Sequence, residues 1–512
     1  MKKIYTIFLI LLTLFSFSAC SDNQTSNETD QSYTYHLEKE ELDKRLENAK
    51  LSILLGGIDE VEIPKLYPNA TILTYTSNAD KLFALLSGKV DYAIASNSQA
   101  ILYSRKNNYE YKYCDTPLYT MGNSFALQEG NVELKEKIDE CIKTLREDGT
   151  LDQLNQKWVI EGNYSIDDIP YIEDENAPVL RVGTDGASEP FSFVYNNQLA
   201  GHDIELISRI AYMLGMRIEF SQMPFSSTIV ALTTGKVDVA PTVTPTSERD
   251  KQVDFSDVYY EANIVALSKK DGVNSSLISD LKDSFISTFI SENRWMMFVD
   301  GIKVTLIIAL FSFVLATLVG ILLCIMLISK NKILSKLASI YVRIASGVPI
   351  LVWLMLLYYV VFNGVNISSI IVSIIALGLQ SGASLSGIFK TGIDSIDVGQ
   401  KEAAEALGFS SFMIYTKIII PQAILRVFDL YKGEFVSLVK TTSIVGYVAI
   451  NDITKVSDLI RSRTYEAFFP LITTALIYFV ITYLIVVLLN IVQKRINPKF
   501  RKTILKGVKV ND

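Results

Sequence analysis

The sequence predicts a multi-domain protein: an exported α/β domain of two lobes, followed by an all-α membrane domain of about five helices. Three observations carry this. The charge is split. The net value is −7, but Ser21–Phe298 holds 25 Lys+Arg against 44 Asp+Glu, and Val299–Asp512 holds 21 against 11. Long apolar runs crowd the second half, from Val304 onward. A short pattern occurs twice in the first half: Ala84-Leu85-Leu86-Ser87-Gly88-Lys89-Val90-Asp91 returns as Ala231-Leu232-Thr233-Thr234-Gly235-Lys236-Val237-Asp238. Each copy reads as a helix end, a glycine turn and an apolar strand, the unit of open α/β domains. Two copies predict two similar lobes with a crevice between them, a usual place for a small ligand. The length of 512 residues suits about three domains. With 49% hydrophobic residues a long disordered chain is excluded. The acidic balance argues against nucleic acid as a partner.

The chain begins Met1-Lys2-Lys3, then runs apolar from Ile4 to Phe17 and ends in Ser18-Ala19-Cys20. That is the charge, apolar core and small-residue site of a signal peptide. The run is too short to span about 30 Å of hydrocarbon. Residues 1–20 are therefore expected to direct export of the acidic half. Ser18-Ala19-Cys20 resembles a lipoprotein processing site, with Cys20 as the lipidated residue and membrane lipid as its partner. The other cysteines are Cys114, Cys141 and Cys324, and the histidines are His36 and His202. No CxxC or Cys/His cluster exists, so no metal site is expected. Cys114 and Cys141 either pair outside the cell or stay buried as thiols.

Five spans are expected in the second half. They are Val304–Ser329, a second from near Tyr341 through Ile350–Phe362, Ser368–Phe389, a short one at Thr442–Ile450, and Phe468–Val492. Cationic loops mark the cytoplasmic side. Lys330, Lys332 and Lys336 follow the first span, and Lys390, Lys401, Lys417 and Arg426 the third. Lys494, Arg495, Lys499, Arg501, Lys502, Lys506 and Lys509 follow the fifth. Asn363–Ile367 carries no charge and is expected outside. A multi-pass protein of the plasma or inner membrane results, with an external binding domain and a cytoplasmic C-terminus.

The loop after the third span reads Gly399-Gln400-Lys401-Glu402-Ala403-Ala404-Glu405-Ala406-Leu407-Gly408. Strong helix formers dominate it, and Gly408 suits a helix C-terminus. Helix propensity alone makes it a solvated connector. The stretch resembles the EAA loop of ATP-binding-cassette importer permeases, which docks on an ATPase subunit. Gly399, Glu402, Ala403 and Gly408 match that motif. Ala376–Ala383 and Leu438–Ser443 are similar to stretches of the polar amino-acid permeases in that family, over about Phe298–Lys494. Ser346-Gly347-Val348-Pro349, Gly387 and Lys390 depart from its pattern. The chain has no GxxxxGK[ST] phosphate loop. The resemblance therefore implies no cofactor in this chain, ATP bound by a separate ATPase homodimer, and a second permease chain, most simply a homodimer.

Leu180–Lys270 resembles the first lobe of the type II periplasmic binding proteins that feed such importers. The match rests on Arg181–Asp185, Glu189-Pro190-Phe191, Gly201-His202-Asp203 and Ser247-Glu248-Arg249. Second-lobe features come earlier, at Leu51–Gly57. Arg146–Leu151 with Lys157-Trp158 resembles the family's C-terminal end. The implied organisation is a circular permutation. It runs as linker 21–40, lobe two and a return to lobe one over 41–165, acidic linker 166–178 and lobe one over 179–272. Linker 273–298, permease 299–495 and a basic tail 496–512 complete the chain. Two truncated tandem domains are the alternative, but about 230 residues suit one complete domain better.

By resemblance Arg249 is the carboxylate clamp, a role suited to a bidentate guanidinium. Asp185 matches the ammonium-binding carboxylate. Thr242 and Thr244 match ligand-backbone contacts, and Phe225 matches the stacking aromatic. In lobe two, Gly57 and Ile58 lie in the glycine turn, whose N–H groups are expected to face the carboxylate. Ser96, beside Asn97, stands where the family has a second acid. With one acid left and Ser188 at an aromatic position, a small polar amino acid is the expected ligand. The reading is an amino-acid importer subunit, not an enzyme. An amino-acid-gated channel or membrane sensor on the same external fold is the alternative. No TVGYG-like filter occurs, and a channel leaves Gly399–Gly408 without a role.

Overall fold

The computed structural model describes residues 34–496, except 107–110, 163, 167, 271–281, 283, 364, 366, 465, 467 and 468. The signal segment with Cys20 and the tail 497–512 lie outside the described residues.

The echoed pattern is a structural echo. Helix Asn78–Leu86 turns at Gly88 (φ +70°) into strand Tyr92–Ser96. Helix Phe225–Thr233 turns at Gly235 (φ +65°) into strand Val239–Val243. Both turns need a φ that glycine adopts without Cβ strain. The aspartates that close the pattern do the same work. Asp91 accepts the Lys50 main-chain N–H at 2.8 Å, and Asp238 that of Arg181 at 2.9 Å. Each thereby fastens the start of a parallel neighbour. In one lobe Lys50–Leu54 lies between Thr71–Tyr75 and Tyr92–Ser96, all parallel. In the other, Val179–Thr184 lies between Arg217–Gln222 and Val239–Val243, again parallel.

Two long antiparallel strands join the lobes. Tyr119–Gln128 pairs with Tyr260–Lys269 through Tyr119–Asn123. It ends in lobe one, with Ser124–Leu127 beside Val239–Val243. Tyr260–Lys269 runs the other way, and its Ile264–Leu267 pairs with Tyr92–Ser96 of lobe two. The sequence reading gave all of Leu180–Lys270 to lobe one. A strand that crosses between lobes keeps its alternation and needs no turn, so the boundary leaves no mark. Helices Val132–Glu147 and Thr150–Leu154 return to lobe one, where Ile142, Leu145 and Trp158 share a core with Leu180, Ile207 and Val239. Cys114 packs in a lobe-two core and Cys141 in this one. Separate cores explain why both are buried free thiols.

Among the described residues, the second half has four helical stretches long and apolar enough to cross a membrane: Trp295–Leu327, Ser369–Asp394, Ser411–Val448 and Phe469–Arg495. A bent pair, Lys332–Gly347 and Ile350–Val361, makes up to five. The expected second span is thus bent, by 108°. The break falls at Val348, whose extended backbone precedes Pro349 as proline sterics demand. The expected fourth span is corrected. Thr442–Val448 is a short 3₁₀ helix at the end of Ser411–Val448, so the span begins about 30 residues earlier than the sequence suggested. Lys417 and Arg426, read as loop, lie in that helical stretch. Its charges hid it. Lys432 reaches Asn490 at 2.7 Å and Gln493 at 2.8 Å, so the polar face is satisfied by a neighbouring helix.

Trp295–Leu327 and Ser369–Asp394 pack through small residues. A Cβ at Gly382 would stand 2.7 Å from Val319, and one at Gly320 2.8 Å from Leu385. Small residues let membrane helices approach closely. Gly382→Val is expected to abolish a monodisperse peak in size-exclusion chromatography of the detergent-solubilised chain. Gly387→Ala, with open space around it, is expected to elute as wild type.

Candidate functional site

The crevice between the lobes holds a cavity of about 90 Å³. Asp185, Phe225, Thr242, Thr244 and Arg249 line it from lobe one, and Gly57, Ile58 and Ser96 from lobe two. Eight of the nine residues singled out are therefore together. Asn97 lies outside the lining, with its Oδ1 accepting the Ser98 N–H at 2.9 Å.

Each lobe-one side chain is held by its element. Asp185 follows strand Val179–Thr184, and its carboxylate accepts the Ser188 hydroxyl at 2.5 Å and the Ala187 N–H at 3.1 Å. Burial pushes its pKa up, and those two donors oppose the shift. Thr242 has φ +61°, rare for a β-branched residue. Its N–H donates to the Tyr259 hydroxyl at 2.9 Å and its hydroxyl to Asp203 at 2.5 Å. Such backbone persists only where surroundings over-determine it, and it concentrates at ligand sites. Arg249 donates to the Thr244 carbonyl at 2.8 Å and, across the crevice, to the Gly56 carbonyl at 2.7 Å. The lobes are closed on each other at this point.

The glycine turn differs from expectation. The Gly56 N–H donates to Glu60 at 2.9 Å and the Gly57 N–H to Leu54 at 3.2 Å. These donors are spent inside the turn, ahead of helix Asp59–Leu66.

Two lining charges were missed: Asp59 and Lys81. Asp59 accepts the Tyr119 hydroxyl at 2.5 Å, and burial raises its pKa. Lys81 is 2% exposed and donates to the Ile94 carbonyl at 2.7 Å. Burial lowers it to about 8, against the pull of Asp59. A signal existed. Lys81 stands on the Asn78, Leu82, Leu85 face of its helix, the apolar side of the 3.6-residue period. The cavity thus carries two acids, Asp59 and Asp185, and two cations, Lys81 and Arg249, a set matched to a zwitterion.

The low Lys81 value has a pH consequence. Below about pH 8 both folded and unfolded chains carry the proton, and the buried charge costs stability. Between about 8 and 10.5 the unfolded chain binds more protons, so stability from this group rises with pH. Lys81→Met removes this dependence, so the wild type should gain up to about 3 kcal/mol relative to the variant between about pH 8 and 10.5 in denaturant unfolding of the two proteins.

The membrane half meets both lobes through helix Ile453–Thr464. Arg461 pairs with Asp80 of lobe two and with Asp458. Arg463 pairs with Glu189 of lobe one and with Glu292, and its guanidinium stands 4.9 Å from the Phe193 ring centre. Away from the lobes, helix Val398–Ala406 starts at Asp397, which accepts the Gly399 N–H at 2.7 Å. It ends near Gly408, φ +79°. Glu402 and Ala403 are exposed, and so are Leu407 and Phe412, both 77%.

A family model, Bacterial extracellular solute-binding proteins, family 3, matches residues 69–161 and 180–508. The putative glutamine transport system permease protein GlnP of Rickettsia typhi is 32% identical over 202 residues, 39% of this chain and 93% of that protein. The arginine transport system permease protein ArtQ of Bacillus subtilis is 30% identical over 204 residues, 40% of this chain and 91% of that one. A crystal structure of an amino acid ABC transporter with histidines is 31% identical, covering 44% of this chain and 100% of its own, with TM-score 0.38.

Proposed function

The chain belongs to the bacterial extracellular solute-binding proteins, family 3, and from that premise we propose how its two halves work as one importer subunit. It joins an extracellular amino-acid-binding domain to an amino-acid ABC permease in the membrane. The observation that carries this is the meeting of one charged crevice and one permease-like half through Arg461 and Arg463.

In the crevice Arg249 takes the ligand carboxylate and Asp185 its ammonium, each paired so that its burial is tolerable. Thr242 and Thr244 bond the ligand backbone, and Phe225 covers its side chain. Lys81 and Asp59 add a charge pair in lobe two. A small polar amino acid fits this set, since no acid is left unpaired for a cationic side chain. The glutamine and arginine in the names of the relatives are the two limiting cases. Calorimetry of the purified chain against the twenty amino acids decides between them. Tight binding of lysine or arginine, with none of neutral polar amino acids, overturns the small-polar assignment.

ATP is hydrolysed by a separate ATPase dimer docked at Gly399, Glu402, Ala403 and Gly408, and the permease pairs with a second copy of itself. The exposed Leu407 and Phe412 beside that helix support a partner there. Ala403→Trp is expected to abolish co-purification with the ATPase subunit while leaving amino-acid binding intact. Retained co-purification contradicts this docking site. The C-terminus is cytoplasmic, residues 1–20 are a signal peptide, and Cys20 carries lipid.

The binding domain is one circularly permuted unit. Crossing strands of opposite direction support this, because the chain enters through lobe two and leaves from lobe two. A Ser32–Gly272 fragment should unfold in one cooperative transition. Two independent transitions favour tandem truncated domains.

A further inference from the structure

The crevice backs onto a second and larger chamber. A cavity of about 310 Å³ lies between the two lobes and the helix Ile453–Thr464. Its size is at the lower end for small-molecule pockets, about 300–1,000 Å³. Leu54, Asn78, Asp185 and Phe225 line both cavities and form the wall between them. Among the lining residues, Arg249 belongs to the crevice and Lys455 to the chamber.

We propose that this chamber is a second amino-acid station, where a zwitterion keeps its ammonium on Asp185 while its carboxylate moves from Arg249 to Lys455. The inference rests on the importer reading above. A zwitterion leaving the crevice without partners would pay the desolvation of two charges. Asp185 faces both cavities, so the ammonium need not change partner. The carboxylate must, because Arg249 does not reach the chamber. Of the two cations lining the chamber, Arg461 is taken up by Asp80 and Asp458. Lys455 is the other. It is 8% exposed, and its ammonium stands 3.5 Å from the Asp185 main-chain oxygen. An ammonium has three donors, so this contact leaves others for a carboxylate. Burial pulls Lys455 below the usual lysine range, against the fields of Asp185, Asp458 and Asp452. An arriving carboxylate favours its charged form. The stem is fixed: a Cβ at Gly446 would lie 3.3 Å from the Lys455 Cβ, so this helix crosses the 3₁₀ segment closely.

The test uses the full chain with its ATPase subunit in lipid vesicles, and the twenty amino acids as one radiolabelled mixture. Lys455→Gln is expected to bind the mixture within twofold of wild type and to keep its ATP hydrolysis. The amino acid moved per ATP should fall at least tenfold. Lys455→Arg is expected to recover at least half of that ratio. Three outcomes overturn the inference: Lys455→Gln moving as much per ATP as wild type, losing binding in proportion to transport, or losing ATP hydrolysis together with transport. No uptake by the wild-type chain overturns the importer reading as well, which separates the two failures.

Discussion

Arg463→Ala is expected to cost about 3–5 kcal/mol of stability, the range for removing one partner of a buried ion pair. Arg463 is 7% exposed and Glu189 is 1% exposed, so the alanine removes the guanidinium paired with a buried carboxylate. The guanidinium also stands 5.1 Å from the Tyr164 ring centre and 4.9 Å from that of Phe193, contacts that an alanine cannot make. Glu189 and Glu292 hold its pKa up in spite of burial, which says the charged form is the one stabilised there. The measurement is the thermal unfolding midpoint of the detergent-solubilised chain. Glu189→Gln in the same chain should recover part of the loss, because the buried charge is then gone. A midpoint unchanged by Arg463→Ala contradicts a buried joint between lobe one and the permease half.

Arg249→Ala is expected to weaken amino-acid binding by about 2–5 kcal/mol, or roughly 30- to 5,000-fold, the cost of truncating one side of a buried charge pair. The arginine also ties lobe one to the Gly56 carbonyl of lobe two, so its loss loosens closure in the absence of ligand. Arg249→Lys keeps the charge but not the fork of donors, and should recover only a small part of the affinity. Titration calorimetry checks both. Equal affinities for wild type and Arg249→Ala remove this residue from the site.

Much of this was legible in the sequence for a physical reason. Gly88 and Gly235 need positive φ, and Asp91 and Asp238 must reach back to a neighbouring strand, so the same local demands wrote the same eight-residue pattern twice. Asp185, Thr242 and Arg249 were singled out by resemblance to the binding-protein family, and the fold brings all three to the crevice lining. What escaped depends on tertiary partners. Lys81 reads as a solvated lysine until its helix face is traced to Leu82 and Leu85. The Ser411–Val448 stretch reads as loop because Lys432 is charged, and its partners Asp429, one turn away, and Asn490 and Gln493 of the last membrane helix make that lysine tolerable in a span. Thr442–Val448 is apolar for the opposite reason: it is a short segment tucked among helices, with Val445 and Val448 fully buried. Burial inside the bundle and burial in lipid select the same residues.

In the proposed importer, one crevice feeds one permease at the expense of ATP hydrolysed by a partner. Vesicles holding this chain and its ATPase subunit, with ATP supplied on the side of helix Val398–Ala406, measure it most directly. The prediction is uptake of an amino acid against its gradient that stops without ATP and is lost in Arg249→Ala. Amino-acid-gated ion current, or downhill flux indifferent to ATP, would contradict it.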